Sequence, residues 1–190
     1  MSKIIKIICV LILMTSLSAC GGDNIYIDDG PRVGEIKTFE LNDDFYAATK
    51  LCEDYLSSIE IELFEDVVSY EFKFWEYLDG KWTVVDCFKR DKVDDEIEVA
   101  MQLIDNRLEI ILKENDEIKV YKHELKADFD EIIYGAKHED ILIHNREVEL
   151  YFVIDNQKDL QDFNVNDIPN SFKEAKCTKG AAISFVTSNK

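Results

Sequence analysis

The side chains that could do catalytic work are few and scattered in this chain of 190 residues. Its three histidines are His123, His138 and His144, and none of them belongs to a zinc-hydrolase motif such as His-Glu-x-x-His. The chain also lacks a Gly-x-Ser-x-Gly nucleophile motif and a glycine-rich phosphate loop. We therefore predict no catalytic residues, no cofactor and no enzymatic activity.

Two of the histidines lie near carboxylates that could share a zinc ion. His138 is followed by Glu139 and Asp140, and His144 comes shortly after them. In an extended strand the two imidazoles would stand about 20 Å apart, which is too far for ligands of one ion. A turn near Asp140 would be needed to bring them together, so the sequence predicts no metal site here.

A second acidic run, residues 162–167, has the alternating oxygen side chains of the first half of a calcium-binding loop. Its sixth position is Asp167, where the sharp turn of such a loop needs glycine. Its twelfth position is Lys173, where the loop needs a glutamate that binds the ion through both oxygens. We therefore expect a polar loop with no metal bound.

Three large aromatic residues, Trp75, Tyr77 and Trp82, flank the turn sequence Asp79-Gly80. If the two flanking segments pair as strands, all three side chains lie on one face of the hairpin. Exposed tryptophan and tyrosine rings are common in protein-binding hot spots and on glycan-binding surfaces. We take these three residues as candidate binding residues. The alternative is that a second sheet or a helix covers them as part of the core.

The first twenty residues carry a separate signal. Lys3 and Lys6 flank the start of an apolar run, residues 4–14, which is too short for the ~20 residues that span a bilayer as a helix. A stretch of small residues follows, as at the cleavage site of a secretory signal peptide. The run closes on Leu17-Ser18-Ala19-Cys20.

This last sequence resembles the lipobox of bacterial lipoprotein precursors. The resemblance, which covers the leader alone, implies that residues 1–19 are a signal peptide and that the sulfur of Cys20 receives a diacylglyceryl group. Two or three acyl chains, at about 0.8 kcal/mol per buried methylene, would hold the mature chain on a membrane. The protein would then be lipid-anchored in the cell membrane or the outer membrane, facing the periplasm or the exterior.

Acidic residues dominate the composition, with 40 Asp and Glu against 22 Lys and Arg and a net charge of −18. Removal of the leader takes away two lysines and no carboxylate, so the mature chain carries about −20. This charge disfavours binding to nucleic acid through its phosphates and is compatible with a basic protein partner.

Three cysteines remain after the leader and Cys20 are set aside: Cys52, Cys87 and Cys177. An odd count allows one disulfide in three ways and leaves one thiol free. A bridge between Cys52 and Cys177 is one of these pairings, and the sequence alone does not choose among them.

The segment after Cys20 reads as a tether over residues 20–34, and a single globular domain follows over residues 35–190. A first strand is predicted at residues 35–41. Asn42 or Asp43 then caps a helix whose apolar residues recur at helical spacing. These residues are Phe45, Ala48, Cys52 and Leu56. From Ser58 onward the apolar residues alternate with charged ones, which predicts strands.

Two-residue turns predict hairpins and fix their registers. Asp79-Gly80 suits a type I′ turn and sets Tyr77 opposite Trp82. The same register pairs Trp75 with Val84, Lys73 with Asp86, Phe74 with Val85, and Phe72 with Cys87.

Two more turns continue this pattern, at Asp105-Asn106 and at Asn115-Asp116. The first pairs Leu103 with Leu108, Met101 with Ile110, and Val99 with Leu112. The second brings Lys119, Tyr121 and His123 across from Leu112, Ile110 and Leu108.

Further strands are predicted at residues 141–144, 148–154 and 181–187, and residues 157–180 read as a loop with a short helix at 170–175. About nine closely spaced strands without helical crossovers predict a mostly β fold, an antiparallel β-sandwich with one or two short helices. A lipocalin-like up-and-down barrel is the alternative, because consecutive hairpins also build that architecture.

The leader, the acidic β-rich domain and the lack of catalytic motifs favour a binding module at the cell envelope. Its partner would be a basic protein or a glycan. The alternatives are a barrel that carries a small apolar ligand against Phe72, Met101 and Ile110, and an envelope enzyme.

Overall fold

A computed structural model describes residues 30–48, 50–51, 53–92, 94–129, 132–155 and 177–189. The leader, Cys20, the calcium-loop-like run at 162–167 and the helix predicted at 170–175 lie outside these ranges. In the described ranges no helix is long and apolar enough to cross a bilayer.

Eleven strands, one short α-helix and one 3-10 turn make up the described fold. The helix α1 spans Asp43–Ala48 and the 3-10 turn spans Glu53–Tyr55. The strands are β1 Arg32–Thr38, β2 Leu56–Leu63, β3 Val67–Leu78, β4 Lys81–Asp91, β5 Glu96–Ile104, β6 Arg107–Glu114, β7 Glu117–Glu124, β8 Ile132–Ala136, β9 Asp140–Ile143, β10 Val148–Asp155 and β11 Gly180–Asn189.

The strands form two antiparallel sheets that pack face to face, so the predicted β-sandwich is confirmed. The six-stranded sheet has the order β7-β6-β5-β2-β1-β9, and the five-stranded sheet has the order β4-β3-β11-β10-β8. The lipocalin-like barrel is wrong, because both sheets stay open, with β7 and β9 as the edges of one and β4 and β8 as the edges of the other.

The space between the sheets is filled by apolar side chains that alternate along the strands. In β2, Ile59 and Ile61 are fully buried while Glu60 between them points outward. Phe72, Met101 and Ile110, which the carrier alternative assigned to a ligand cavity, are instead 0% exposed within this core.

The two-residue turns have the backbone that the sequence predicts. Both central residues have positive φ in each turn, which is the requirement of the type I′ geometry. The values are 52° and 80° for Asp79 and Gly80, 49° and 59° for Asp105 and Asn106, and 46° and 62° for Asn115 and Asp116. The registers predicted for β5 with β6 and for β6 with β7 are confirmed pair by pair.

The β3–β4 hairpin departs from its predicted register beyond the first few pairs. Tyr77 faces Trp82 and Trp75 faces Val84 as predicted, but a β-bulge then inserts Val85 as an extra residue in β4. The pairs beyond the bulge are therefore shifted by one and are Phe74–Asp86, Lys73–Cys87 and Phe72–Phe88.

The elements around α1 also differ from expectation. The helix is shorter than the spacing predicted, because Leu56 already belongs to β2 and pairs with Gln102. Asn42 caps it as predicted, since its Oδ1 accepts the N–H of Asp44 at 3.1 Å. Phe45 is fully buried against the outer face of the six-stranded sheet.

Strand β1 begins at Arg32, before the predicted start of the domain at residue 35. Strand β8, Ile132–Ala136, was not predicted at all, because its run is short and contains Gly135. Among the described strands it pairs with β10 alone, at the edge of the five-stranded sheet.

Antiparallel pairing gives the sandwich two distinct ends. The start of β1 lies beside the end of β2, and the Asn115-Asp116 turn and the last residues of β11 belong to the same end. We call this the N-terminal end. The far end carries the Asp79-Gly80 and Asp105-Asn106 turns and lies about 30 Å away, the length of a nine-residue strand.

Candidate functional site

Trp75, Tyr77 and Trp82 lie together on the outer face of the five-stranded sheet at its far end, as the hairpin register predicts. The rings of Tyr77 and Trp82 meet edge to face at 5.5 Å between centroids, and Trp75 Nε1 donates to Ser184 Oγ at 2.8 Å. All three are half-buried, because they pack on other apolar residues of the same face. Those residues are Ile133, Phe152, Ile154, Cys177 and Ala182, and with the three aromatic residues we call them the outer aromatic cluster.

The position of this cluster corrects the interpretation of the three rings as sandwich core. They lie neither between the two sheets nor beneath α1, which covers the other sheet. Two glycines let aromatic rings approach the backbone of the sheet closely. A Cβ at Gly180 would come within 2.5 Å of Trp82, and one at Gly135 would come within 2.6 Å of Phe152.

A cleft of about 410 Å³ opens at the far end between the two sheets, and sequence reasoning missed it. Three separate stretches of chain form it: the segment before β2, the β5–β6 turn and the segment before β8. Its lining residues are Lys50, Leu51, Tyr55, Leu103, Ile104, Asp105, Asn106, Asp128, Phe129 and Ile132. No local pattern marks residues so far apart in sequence as neighbours.

Hydrogen bonds hold the rim of this cleft in place. The Asn106 side chain donates from Nδ2 to the carbonyl oxygen of Leu125 at 3.2 Å and to Asp128 Oδ1 at 3.0 Å. Lys179 Nζ donates to the carbonyl oxygen of Asp128 at 2.8 Å. The two contacts of Asn106 hold the segment that contains Leu125 and Asp128 against the β5–β6 turn, and Lys179 holds the same segment to the start of β11.

A second cleft, also about 410 Å³, is lined mainly by charged residues. Asp140 accepts from Lys137 at 3.0 Å and lies 3.4 Å from Arg146 Nη2. Glu147 lies 3.8 Å from Lys73. A charged ligand entering the second cleft would therefore compete with ion pairs that are already formed.

The edges β4 and β7 face each other across a buried polar network. Glu114 accepts from Tyr70 and forms an ion pair with Arg90 at 2.8 Å, and Arg90 Nη1 donates to the Tyr121 hydroxyl at 2.9 Å. Burial, together with the neighbouring Glu114 carboxylate, raises the pKa of Tyr70. Tyr70 therefore stays protonated and acts as a donor in a structural network.

The histidines do not assemble into a site. His123 Nε2 lies 2.9 Å from Glu76 Oε1, His144 contacts its neighbour Asn145, and His138 is exposed. Within the part of the chain that the structure describes, no group of three or more His, Cys, Asp or Glu side chains could hold a metal ion.

Both cysteines in the described ranges are free, with Cys87 exposed and Cys177 buried. The suggested bridge from Cys52 to Cys177 is therefore not formed, and Cys52 itself lies outside the described residues. Burial, and to a smaller extent Asp155, raises the pKa of the Cys177 thiol to about 12. This thiol is an inert apolar component of the outer aromatic cluster.

The geometry thus offers two neighbouring features at one end of a sandwich, an aromatic cluster and a cleft, and no catalytic constellation among the described residues. Comparison with known proteins adds no assignment, since no protein-family model, no curated protein and no solved structure matches this chain.

Proposed function

We propose that this chain is a lipid-anchored binding module of a bacterial cell envelope. The anchor is Cys20, at the end of a leader that resembles a lipoprotein signal peptide, and residues 1–19 are removed. The domain itself is a rigid, acidic β-sandwich that binds a basic protein or a glycan. No nucleic acid and no catalytic reaction enter the proposal.

One observation supports the proposal independently of the leader. The outer aromatic cluster and the far-end cleft both lie at the far end of the sandwich, opposite the end at which β1 begins. A tether that ends at Arg32 leaves the domain at its N-terminal end. The outer aromatic cluster and the far-end cleft then face away from the membrane, about 30 Å from the tether. This orientation leaves both features open to partners from solution.

The anchor is tested by growing cells with an alkyne-tagged fatty acid and separating membranes from soluble proteins. The wild-type chain should carry the label and sediment with membranes. Cys20→Ser should lose the label and the sedimentation, whereas the control Cys87→Ser, which removes an exposed thiol, should keep both. Labelling of the Cys20→Ser chain would refute the anchor.

The binding role is tested with the chain from Gly21 onward, which contains both sheets and the core. Calorimetric titrations with a small basic protein and with peptidoglycan fragments should give saturable binding of one of them. Tyr77→Ala should weaken this binding, while Tyr46→Ala, which truncates a 53% exposed tyrosine on α1, should not. Absence of binding to both probes, or equal effects of the two variants, would contradict the proposal.

A further inference from the structure

We propose that the far-end cleft binds an apolar group that ends in an ammonium, either a free amine or a lysine side chain. The proposal rests on the binding function above and names the chemistry that the cleft recognises. A cleft of about 410 Å³ falls within the range of small-ligand sites, roughly 300–1,000 Å³.

The walls of the cleft are apolar on several sides. Tyr55 comes from the 3-10 turn, Phe129 and Ile132 come from the segment that enters β8, and Leu51 and Leu103 complete the surface. Leu103 belongs to the main core, so the floor of the cleft continues the packing between the sheets. An aliphatic tail would lose water against these side chains as in ordinary core burial.

Carboxylates at the rim of the cleft favour a positively charged group. Asp105 and Asp128 are exposed carboxylates that reach the rim from two different segments, and Lys50 is the one basic residue among the lining side chains that the structure describes. Lys179 lies nearby, but its ammonium donates to the backbone oxygen of Asp128; the Asp128 carboxylate accepts from Asn106 through Oδ1 and keeps Oδ2 for a ligand. The net charge of −18 adds a negative field over the whole domain.

The aromatic walls act in the same direction. Tyr55 and Phe129 both line the cleft, and an aromatic ring attracts a cation, the more strongly when water is excluded. A carboxylate would meet the same rings and the same rim unfavourably. An ammonium with a short apolar tail is therefore the complementary ligand, and a neutral tail of equal length should bind less tightly.

Three probes with one tail and different head groups test the charge. Hexylammonium, hexanol and hexanoate are titrated into the chain from Gly21, with binding followed by backbone amide shifts in NMR spectra. Hexylammonium should bind roughly fivefold to tenfold more tightly than hexanol, as expected for one or two exposed ion pairs. Hexanoate should bind more weakly than hexanol. Equal affinities, or preference for hexanoate, would overturn the proposal.

Variants locate the site. The double variant Asp105→Asn with Asp128→Asn removes both rim charges and keeps the side-chain shapes, and Asn still accepts the hydrogen bond from Asn106. It should lower hexylammonium affinity roughly fivefold and leave hexanol affinity unchanged. The control, Asp66→Asn with Asp116→Asn, removes two exposed carboxylates at the N-terminal end and should change neither affinity. A larger loss in the control than in the rim variant would overturn the assignment.

A variant that fills the far-end cleft with a larger side chain provides a second test, which does not depend on charge. Leu51→Trp places a large ring at the cleft wall and should abolish binding of all three probes while the NMR spectrum stays that of the folded protein. Unchanged hexylammonium binding by this variant would place the site elsewhere.

The source of the ammonium is distinguished by two capped tripeptides, Leu-Lys-Leu and Leu-Glu-Leu. Tight binding of the lysine peptide, with weak binding of free hexylammonium, identifies a protein partner; the reverse identifies a small amine. None of these titrations depends on Cys20. A negative result here would therefore refute the proposed ammonium binding and leave the proposed lipid anchor unaffected.

Discussion

The buried pair of Arg90 and Glu114 allows a quantitative test of how the two sheets are held together at their β4 and β7 edges. Their side chains are 18% and 4% exposed and approach to 2.8 Å. Removing one partner of a buried ion pair costs roughly 3–5 kcal/mol, because the other charge stays desolvated. Partial exposure of Arg90 admits water, so we expect about 2.5 kcal/mol for Arg90→Met.

The companion change Glu114→Gln should cost less. Glutamine still accepts the hydrogen bond from Tyr70, and the unpaired Arg90 can reach solvent, so we expect about 1.5 kcal/mol. The double variant should cost about 2 kcal/mol, because neither charge is left alone. The resulting coupling energy is about 2 kcal/mol. The Arg90→Met change removes the hydrogen bond from Arg90 to Tyr121 both in the wild type and in the Glu114→Gln background, so this loss cancels in the coupling energy.

Urea unfolding followed by circular dichroism measures all four free energies of unfolding. The control cycle uses Glu117 and Lys119, an ion pair at 3.2 Å whose side chains are 73% and 42% exposed. Its coupling should be about 0.5 kcal/mol or less, as for other exposed pairs. If the coupling of Arg90 with Glu114 does not exceed that of the control, burial does not strengthen this pair and the reasoning is refuted.

Three further outcomes are expected. Gly34→Ala should destabilise the fold by about 3 kcal/mol or more in the same urea assay, since its Cβ would stand 2.1 Å from the backbone oxygen of Glu62; a loss under about 1 kcal/mol would contradict the close approach. Iodoacetamide at pH 8 should alkylate Cys87 in the folded protein and Cys177 only after unfolding, as read by peptide mass spectrometry. Because burial raises the pKa of Tyr70 above its ordinary value of 10.0, the stabilising contribution of its proton is complete below pH 10 and falls as the pH rises further; Tyr70→Phe should flatten the loss of stability above pH 10, and an unchanged slope would argue against a buried phenol.

Local turn chemistry explains why much of the fold could be predicted. Asp105-Asn106 and Asn115-Asp116 adopt positive φ, and an alternating pattern on either side then leaves one register that buries the apolar residues. The β4 bulge had no such marker. Trp75 faces Val84 as predicted, but no local pattern indicates that Val85 is left unpaired and that Phe74 pairs with Asp86; the packing of the finished sandwich decides this.

The alternation of apolar and polar residues also could not predict which outward-facing side chains of the six-stranded sheet are buried. Gln102 and Glu109 alternate with the inward-facing apolar residues of β5 and β6 and so point to the outer face, yet they are 0% and 1% exposed because the chain around α1 covers that part of the sheet. Burial raises the pKa of Glu109, but hydrogen bonds from Gln102, Arg107 and Lys122 outweigh it and hold the pKa below its usual range. Which face a short helix covers is a tertiary property.

The two candidate binding features illustrate the same contrast. Trp75, Tyr77 and Trp82 came from one hairpin, so their shared face followed from a single turn. The far-end cleft requires Tyr55, Asp105 and Phe129 to meet from three distant segments, and their sequence neighbours give no hint of the meeting. Features built within one hairpin are predictable from sequence, whereas features built between segments are not.

The central position of β11 in its sheet has a consequence for folding order. β11 lies in the middle of its sheet, between β3 and β10, and makes the extensive pairing that joins the two halves. Until residues 180–189 leave the ribosome, the β3–β4 hairpin and the β8–β10 pair have no common partner and expose bare strand edges. The five-stranded sheet therefore cannot form before β11 is available, and removal of residues 180–189 should leave two half-sheets with exposed edges in place of a slightly shortened protein.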